Sequence, residues 1–96
     1  MRSLFLVAYD VRDAKRLRRT YLTMRGFGEA LQYSVFLCRL SPKERVLLKG
    51  ALLDVVNQKE DRVMIVDLGP VEGMSEGRLE FVGQRIEVSE PSAYIV

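Results

Sequence analysis

The chain has 96 residues, 48% hydrophobic and 29% charged, with a net charge of +2, one cysteine and no histidine. Its length gives one domain near the lower edge of independent folding, so a homodimer is a reasonable expectation, and its composition is globular rather than disordered. The absence of histidine excludes a Ser-His-Asp triad, a Cys-His pair and a histidine-rich zinc site. Any catalysis must then use carboxylates, a metal ion, lysine or tyrosine.

The first predicted element is the strand at residues 3–9, almost wholly apolar and therefore central to a sheet. Its apolar run Leu4–Ala8 is too short for a signal peptide or a membrane span and ends in Tyr-Asp-Val-Arg, so a cytoplasmic protein is expected. Asp13 is a good N-cap for a helix over Ala14–Arg25. Ala14, Leu17, Tyr21 and Met24 recur there at helical spacing as a core stripe, with Lys15, Arg16, Arg18 and Arg19 on the sides and outer face. Gly26 and Gly28 stop the helix.

Residues 30–40 alternate as a strand does. Leu31, Tyr33, Val35 and Leu37 share one face; Gln32, Ser34, Phe36 and Cys38 share the other. The run is long, and Gln32-Tyr33-Ser34 marks where it bends or breaks into two short strands. Cys38 reads as a buried thiol of a reducing compartment. Ser41, Pro42 and Glu44 then form a capping-box helix start. Val46, Leu47, Ala51, Leu53 or Asp54, Val55 and Val56 carry that helix to about Gln58, with Gly50 as a point of close packing. Residues 61–69 form another apolar strand and 70–77 a loop. Residues 78–84 read as a fifth strand, and Ser92–Val96 as an apolar tail. The order β-α-β-β-α-β predicts an α+β, ferredoxin-like sandwich: one domain with two helices on one sheet face, a second face open to a partner, and an extra C-terminal strand.

The charges are unevenly placed. Residues 12–25 hold Arg12, Lys15, Arg16, Arg18, Arg19 and Arg25 against Asp13 alone, whereas residues 72–90 hold five glutamates against two arginines. The basic helix suits sequence-independent phosphate contacts. Beside it, Asp10 ends an apolar strand. One carboxylate is a poor magnesium site. A two-fold dimer would present Asp10 twice across its axis, where the repulsion between the two carboxylates would be relieved by a raised pKa or by a shared divalent cation that could activate water on a phosphate. Asp67 ends its own strand in a similar way and is a second candidate.

The segments LVAYDVRD, GFGEALQYSVFLCRLSPKE and DRVMIVDL resemble the CRISPR-associated protein 2 family over roughly residues 1–68, the small partner of the integrase in spacer acquisition. That resemblance implies a ferredoxin-like homodimer whose C-terminal extension, about residues 78–96, pairs with the partner protomer. It implies Asp10 as the ligand of a magnesium ion shared across the dimer axis, with Tyr9 and Phe36 on the motif's aromatic positions beside it. Arg18 and Arg19 fall where relatives carry helix basics, while Ala30 stands where some carry a cation. The implied role is to hold DNA, and in some members RNA, as a scaffold for the CRISPR-associated integrase (protein 1), with metal-dependent endonuclease activity in some members. A purely structural DNA-binding scaffold and a ferredoxin-like regulatory module that binds a ligand are the alternatives.

Overall fold

The structure is a computed structural model that describes residues 1–72 and 79–84. The elements follow the expected order: β1 (Ser3–Asp10), α1 (Ala14–Arg25), β2 (Glu29–Gln32), β3 (Val35–Leu40), α2 (Pro42–Val55) and β4 (Arg62–Pro70). The four strands form one antiparallel sheet in the order β2-β3-β1-β4. This is the ferredoxin-like plan, with β1 in the interior and β2 and β4 at the edges.

Both sheet faces are apolar, for different reasons. Along β1 the side chains alternate. Phe5, Val7 and Tyr9 join Phe36, Cys38, Leu40 and the helix residues Met24, Leu48 and Leu52 in the main core. Leu4 faces the other way and clusters with Leu31 and Leu37, flanked by Leu6, Val35, Leu68 and Val71. Leu79 and Phe81 pack against this second cluster. Beyond a single bridge at Leu79, residues 79–84 do not form the expected fifth strand. Arg78 and the tail Ser92–Val96 lie outside the described residues.

The break in the 30–40 run falls at Tyr33 and Ser34, which form a two-residue turn between the paired residues Gln32 and Val35. Such short hairpins usually need positive φ values. Neither Tyr33 nor Ser34 has one, and a register shift between Ala30 and Gln32 takes up the difference. The turn is pinned from outside: the Tyr33 ring stacks on Tyr21 at 4.4 Å. Tyr33 therefore sits over α1, apart from the Leu31–Leu37 cluster with which alternation had grouped it.

Helix α1 begins as expected, with the Asp13 side chain accepting the Arg16 backbone N–H. Its inner stripe is shifted, however. Ala14 is exposed, and Thr20 is fully buried. The Thr20 hydroxyl satisfies itself by donating to the Arg16 carbonyl at 2.8 Å, which allows a polar residue to sit in the stripe. Helix α2 has the full capping box between Ser41 and Glu44. It ends at Val55, three residues earlier than expected, and its inner residues are Leu48 and Leu52 rather than Val46, Leu47 and Leu53, which are exposed. Gly50 marks no close packing, since a Cβ there would meet nothing within 4 Å. Among the described glycines the tight one is Gly28, where a Cβ would collide with the Leu37 carbonyl and the Cys38 Sγ.

Candidate nucleic-acid and metal site

Asp10 is the last residue of β1 and is exposed. Strand alternation puts it on the same side as Leu4, Leu6 and Ala8, the face away from the helices. Its register partner on β4 is Arg62, so the two side chains stand side by side on that face. Among the described residues the Asp10 carboxylate makes no hydrogen bond or ion pair. It is an uncommitted anion at the end of a rigid strand, with a cation as its neighbour. Arg62 was not singled out in the sequence; the signal was its place at the start of the strand that returns beside β1.

Tyr9 and Phe36 stand behind Asp10. Phe36 is fully buried and Tyr9 nearly so, their rings 6.3 Å apart. The Tyr9 hydroxyl donates to the Tyr33 carbonyl at 2.5 Å, and its backbone N–H to the Ser34 carbonyl at 3.0 Å. Burial, reinforced by the neighbouring phenols of Tyr33 and Tyr21, pushes the Tyr9 hydroxyl up to about 12. At neutral pH it is a fixed hydrogen-bond donor. Tyr9 and Phe36 thus pack behind the strand end and leave almost no surface of their own. Cys38 is buried as expected, and burial raises its thiol to about 12.

The basic residues divide into two sets. Arg12, Lys15, Arg18 and Arg19 are exposed, and the last three line a shallow surface with Ala14 and Leu22 on the outer side of α1. Arg16 points elsewhere. Its Nε and Nη2 donate to Asp61 at 2.9 and 3.2 Å, and Nη2 also reaches Glu60 at 3.0 Å. The Asp61 side chain has no exposed surface, and the Arg16 hydrogen bonds hold its carboxyl well below the usual carboxylate range. A phosphate would have to compete with this pairing to engage Arg16.

A hard carboxylate oxygen suits a magnesium-like ion. Among the described residues, no group of three or more His, Cys, Asp or Glu stands together to hold a metal. Asp67 does not join Asp10: it pairs with Phe5, at the far end of β1, roughly 17 Å away at the usual strand rise. Its carboxylate instead accepts the Gly69 N–H at 2.8 Å. Among the described residues one chain thus offers a single exposed carboxylate at this strand end, Asp10, which alone is too few ligands for such an ion.

The profile of the family described as CRISPR associated protein Cas2 matches residues 1–72. The chain belongs to the Cas2 family. It is 40% identical over 96 residues to the CRISPR-associated endoribonuclease Cas2 of Geobacter sulfurreducens, covering 100% of both chains. It is 37% identical to CRISPR-associated endoribonuclease Cas2 1 of Rhodospirillum rubrum, covering 96% of this chain and 89% of the relative. The fold agrees: the Streptococcus pyogenes Cas2 crystal structure superposes with a TM-score of 0.61 at 33% identity, over 65% of this chain and 81% of that one. A hypothetical protein from Thermus thermophilus reaches 0.72 at 27% identity, over 88% and 94%. The family match spans every element from β1 to β4. No helix among the described residues is long and apolar enough to cross a membrane.

Proposed function

We propose that this Cas2-family chain works as a homodimer that binds nucleic acid in CRISPR spacer acquisition and hydrolyses phosphodiester bonds with a magnesium ion held between two Asp10 carboxylates. The observation that carries this reading is the exposed Asp10, without a partner among the described residues, at the end of the interior strand on the face without helices. A face-to-face dimer brings that face to its own copy, so a two-fold axis near the strand end would pair the carboxylates. The relatives named as endoribonucleases support a nuclease.

A magnesium ion held by Asp10 would supply, when bound, polarisation of a phosphate oxygen and a more acidic water. The protein's own residues do the rest. Arg12, Lys15, Arg18 and Arg19 hold the backbone of the substrate by charge, without reading bases. Arg62 neutralises phosphate charge beside Asp10. Tyr9, Tyr33 and Phe36 keep the strand end from moving. Edge strand β4, with the apolar groove of Leu53, Val56, Val63 and Ile65 beside it, offers the C-terminal extension of the partner, about residues 78–96, an edge to join.

A second reading has its own support: the basic surface of α1 needs neither Asp10 nor a metal. In that reading the dimer is a DNA scaffold for the CRISPR-associated integrase and cleaves nothing. One experiment separates the two. Wild type and Asp10→Asn are compared for cleavage of single-stranded RNA and duplex DNA, with and without magnesium, and for duplex binding. Cleavage that requires both magnesium and Asp10, with binding unchanged in the variant, is expected. Equal binding with no magnesium-dependent cleavage in either protein would leave the scaffold alone.

A further inference from the structure

We propose that Asp61 is a positioning residue for Asp10: its buried carboxylate ties the segment that follows Asp10 to the start of the strand that pairs with it. The inference rests on the metal-site reading of Asp10 given above. Asp61 Oδ1 accepts the Arg12 backbone N–H at 3.2 Å and Arg16 Nη2 at 3.2 Å. Oδ2 accepts Arg16 Nε at 2.9 Å and the Asn57 backbone N–H at 2.8 Å. Four donors from the β1–α1 connection, helix α1 and the turn before β4 thus meet on one carboxylate that has no exposed surface.

The connectivity gives this contact its consequence. Arg12 lies two residues beyond Asp10. Arg62, the residue after Asp61, is the register partner of Asp10 on β4. The path Asp10–Arg12–Asp61–Arg62 and back across the ladder is a closed ring. It leaves the Asp10 backbone held on both sides, where a strand end would otherwise fray. The anchor is itself rigid. Asn57 Oδ1 accepts the Lys59 and Glu60 N–H groups at 2.9 and 3.3 Å. The Asp61 N–H returns to the Asn57 carbonyl at 2.8 Å. The β1–β4 ladder runs from Ser3 to Asp10 without needing this carboxylate. The clamp acts only at the end that carries Asp10, and it draws Arg16 out of the basic surface to do so. Groups that orient a metal ligand typically change affinity or activity by about 10- to 100-fold when removed.

The test uses the purified protein and three variants: Asp61→Asn, Asp10→Asn and a control, Leu40→Val, which loosens the core at the opposite end of β1. Manganese binding is followed by electron paramagnetic resonance, amide hydrogen exchange at residues 10–13 by NMR, and cleavage of a short single-stranded RNA by kcat and KM. Asp61→Asn is expected to weaken manganese binding and lower kcat by about 10-fold or more with little change in KM. It should also accelerate exchange at residues 10–13 selectively. Leu40→Val should lower the melting temperature without these effects. The proposal is overturned if Asp61→Asn moves these quantities only as far as the control does at equal loss of melting temperature. If wild type neither binds manganese through Asp10 nor cleaves, the metal-site reading falls. Exchange at residues 10–13 then decides the clamp by itself, with selective acceleration upholding it and a uniform rise removing it.

Discussion

Gly28 and Gly50 look alike in the sequence and play opposite parts in the structure. A methyl at Gly28 would stand 2.5 Å from Cys38 Sγ and against the Leu37 carbonyl. Neither the rigid β3 backbone nor a fully buried sulfur can move aside cheaply. Gly28→Ala should therefore cost about 1–3 kcal/mol through overpacking. Gly50→Ala should add about 0.5–1 kcal/mol, since the new methyl meets open space and the helix loses a residue of poor propensity. Urea unfolding midpoints of the two variants should move in opposite directions. Helical placement alone argued for close packing at Gly50, because a chain gives no view of what lies outside a helix. Asp10 was legible for a different reason: an acid at the end of an apolar run breaks a local pattern. Asp61 was not. Its importance comes from meeting residues 12, 16 and 57 in space, and nothing in Glu-Asp-Arg on its own separates a clamp from a solvated turn.

At the scale of elements, α1 shows how a charge pattern misleads about direction. Six cations in one segment read as one surface, yet tertiary pairing turns Arg16 inward while Lys15, Arg18 and Arg19 stay out. The pair also carries a pH signature. The folded-state carboxyl of Asp61 is lowered, first by the Arg16 hydrogen bond and then by the Asn57 and Arg12 N–H groups. Its contribution is therefore complete above the unfolded aspartate value of about 3.9 and is lost as pH falls below that toward the folded value. Glu44, lowered mainly by the Ser41 N–H in the capping box, loses its contribution in the same acid range. Melting temperatures from pH 7 down to pH 3 should fall less steeply for Asp61→Asn than for wild type, from a lower start at neutral pH. Parallel curves would show that Asp61 gains nothing from its charge. Helix α2 was placed correctly by Ser41, Pro42 and Glu44, but its inner face was misjudged. Apolar residues occupy most of its circumference, so periodicity could not decide that Leu48 and Leu52, four apart, point inward.

For the whole molecule, the division of the basic residues predicts how binding responds to salt. If Lys15, Arg18 and Arg19 contact phosphates, replacing any of them with alanine should reduce the slope of log K against log salt by about one unit per contact removed on duplex DNA. Arg16→Ala should leave the slope unchanged and lower the melting temperature instead. Filter binding across a salt series checks both. The ferredoxin-like plan was readable from the order of the elements because each has a strong local signal, whereas the extension beyond β4 has none: its acidic, glycine-containing stretch fits a loop as well as a strand. The strand order has a further consequence, for synthesis. Asp10 is made before either neighbour of its strand: β1 is flanked by β3 and β4, the latter made some fifty residues later. The contacts that fix Asp10 are thus among the longest in sequence separation, and such contacts form late. A nascent chain that has not yet released Arg62–Pro70 carries the Asp10 carboxylate without its frame, so the strand end takes its final form only once β4 docks.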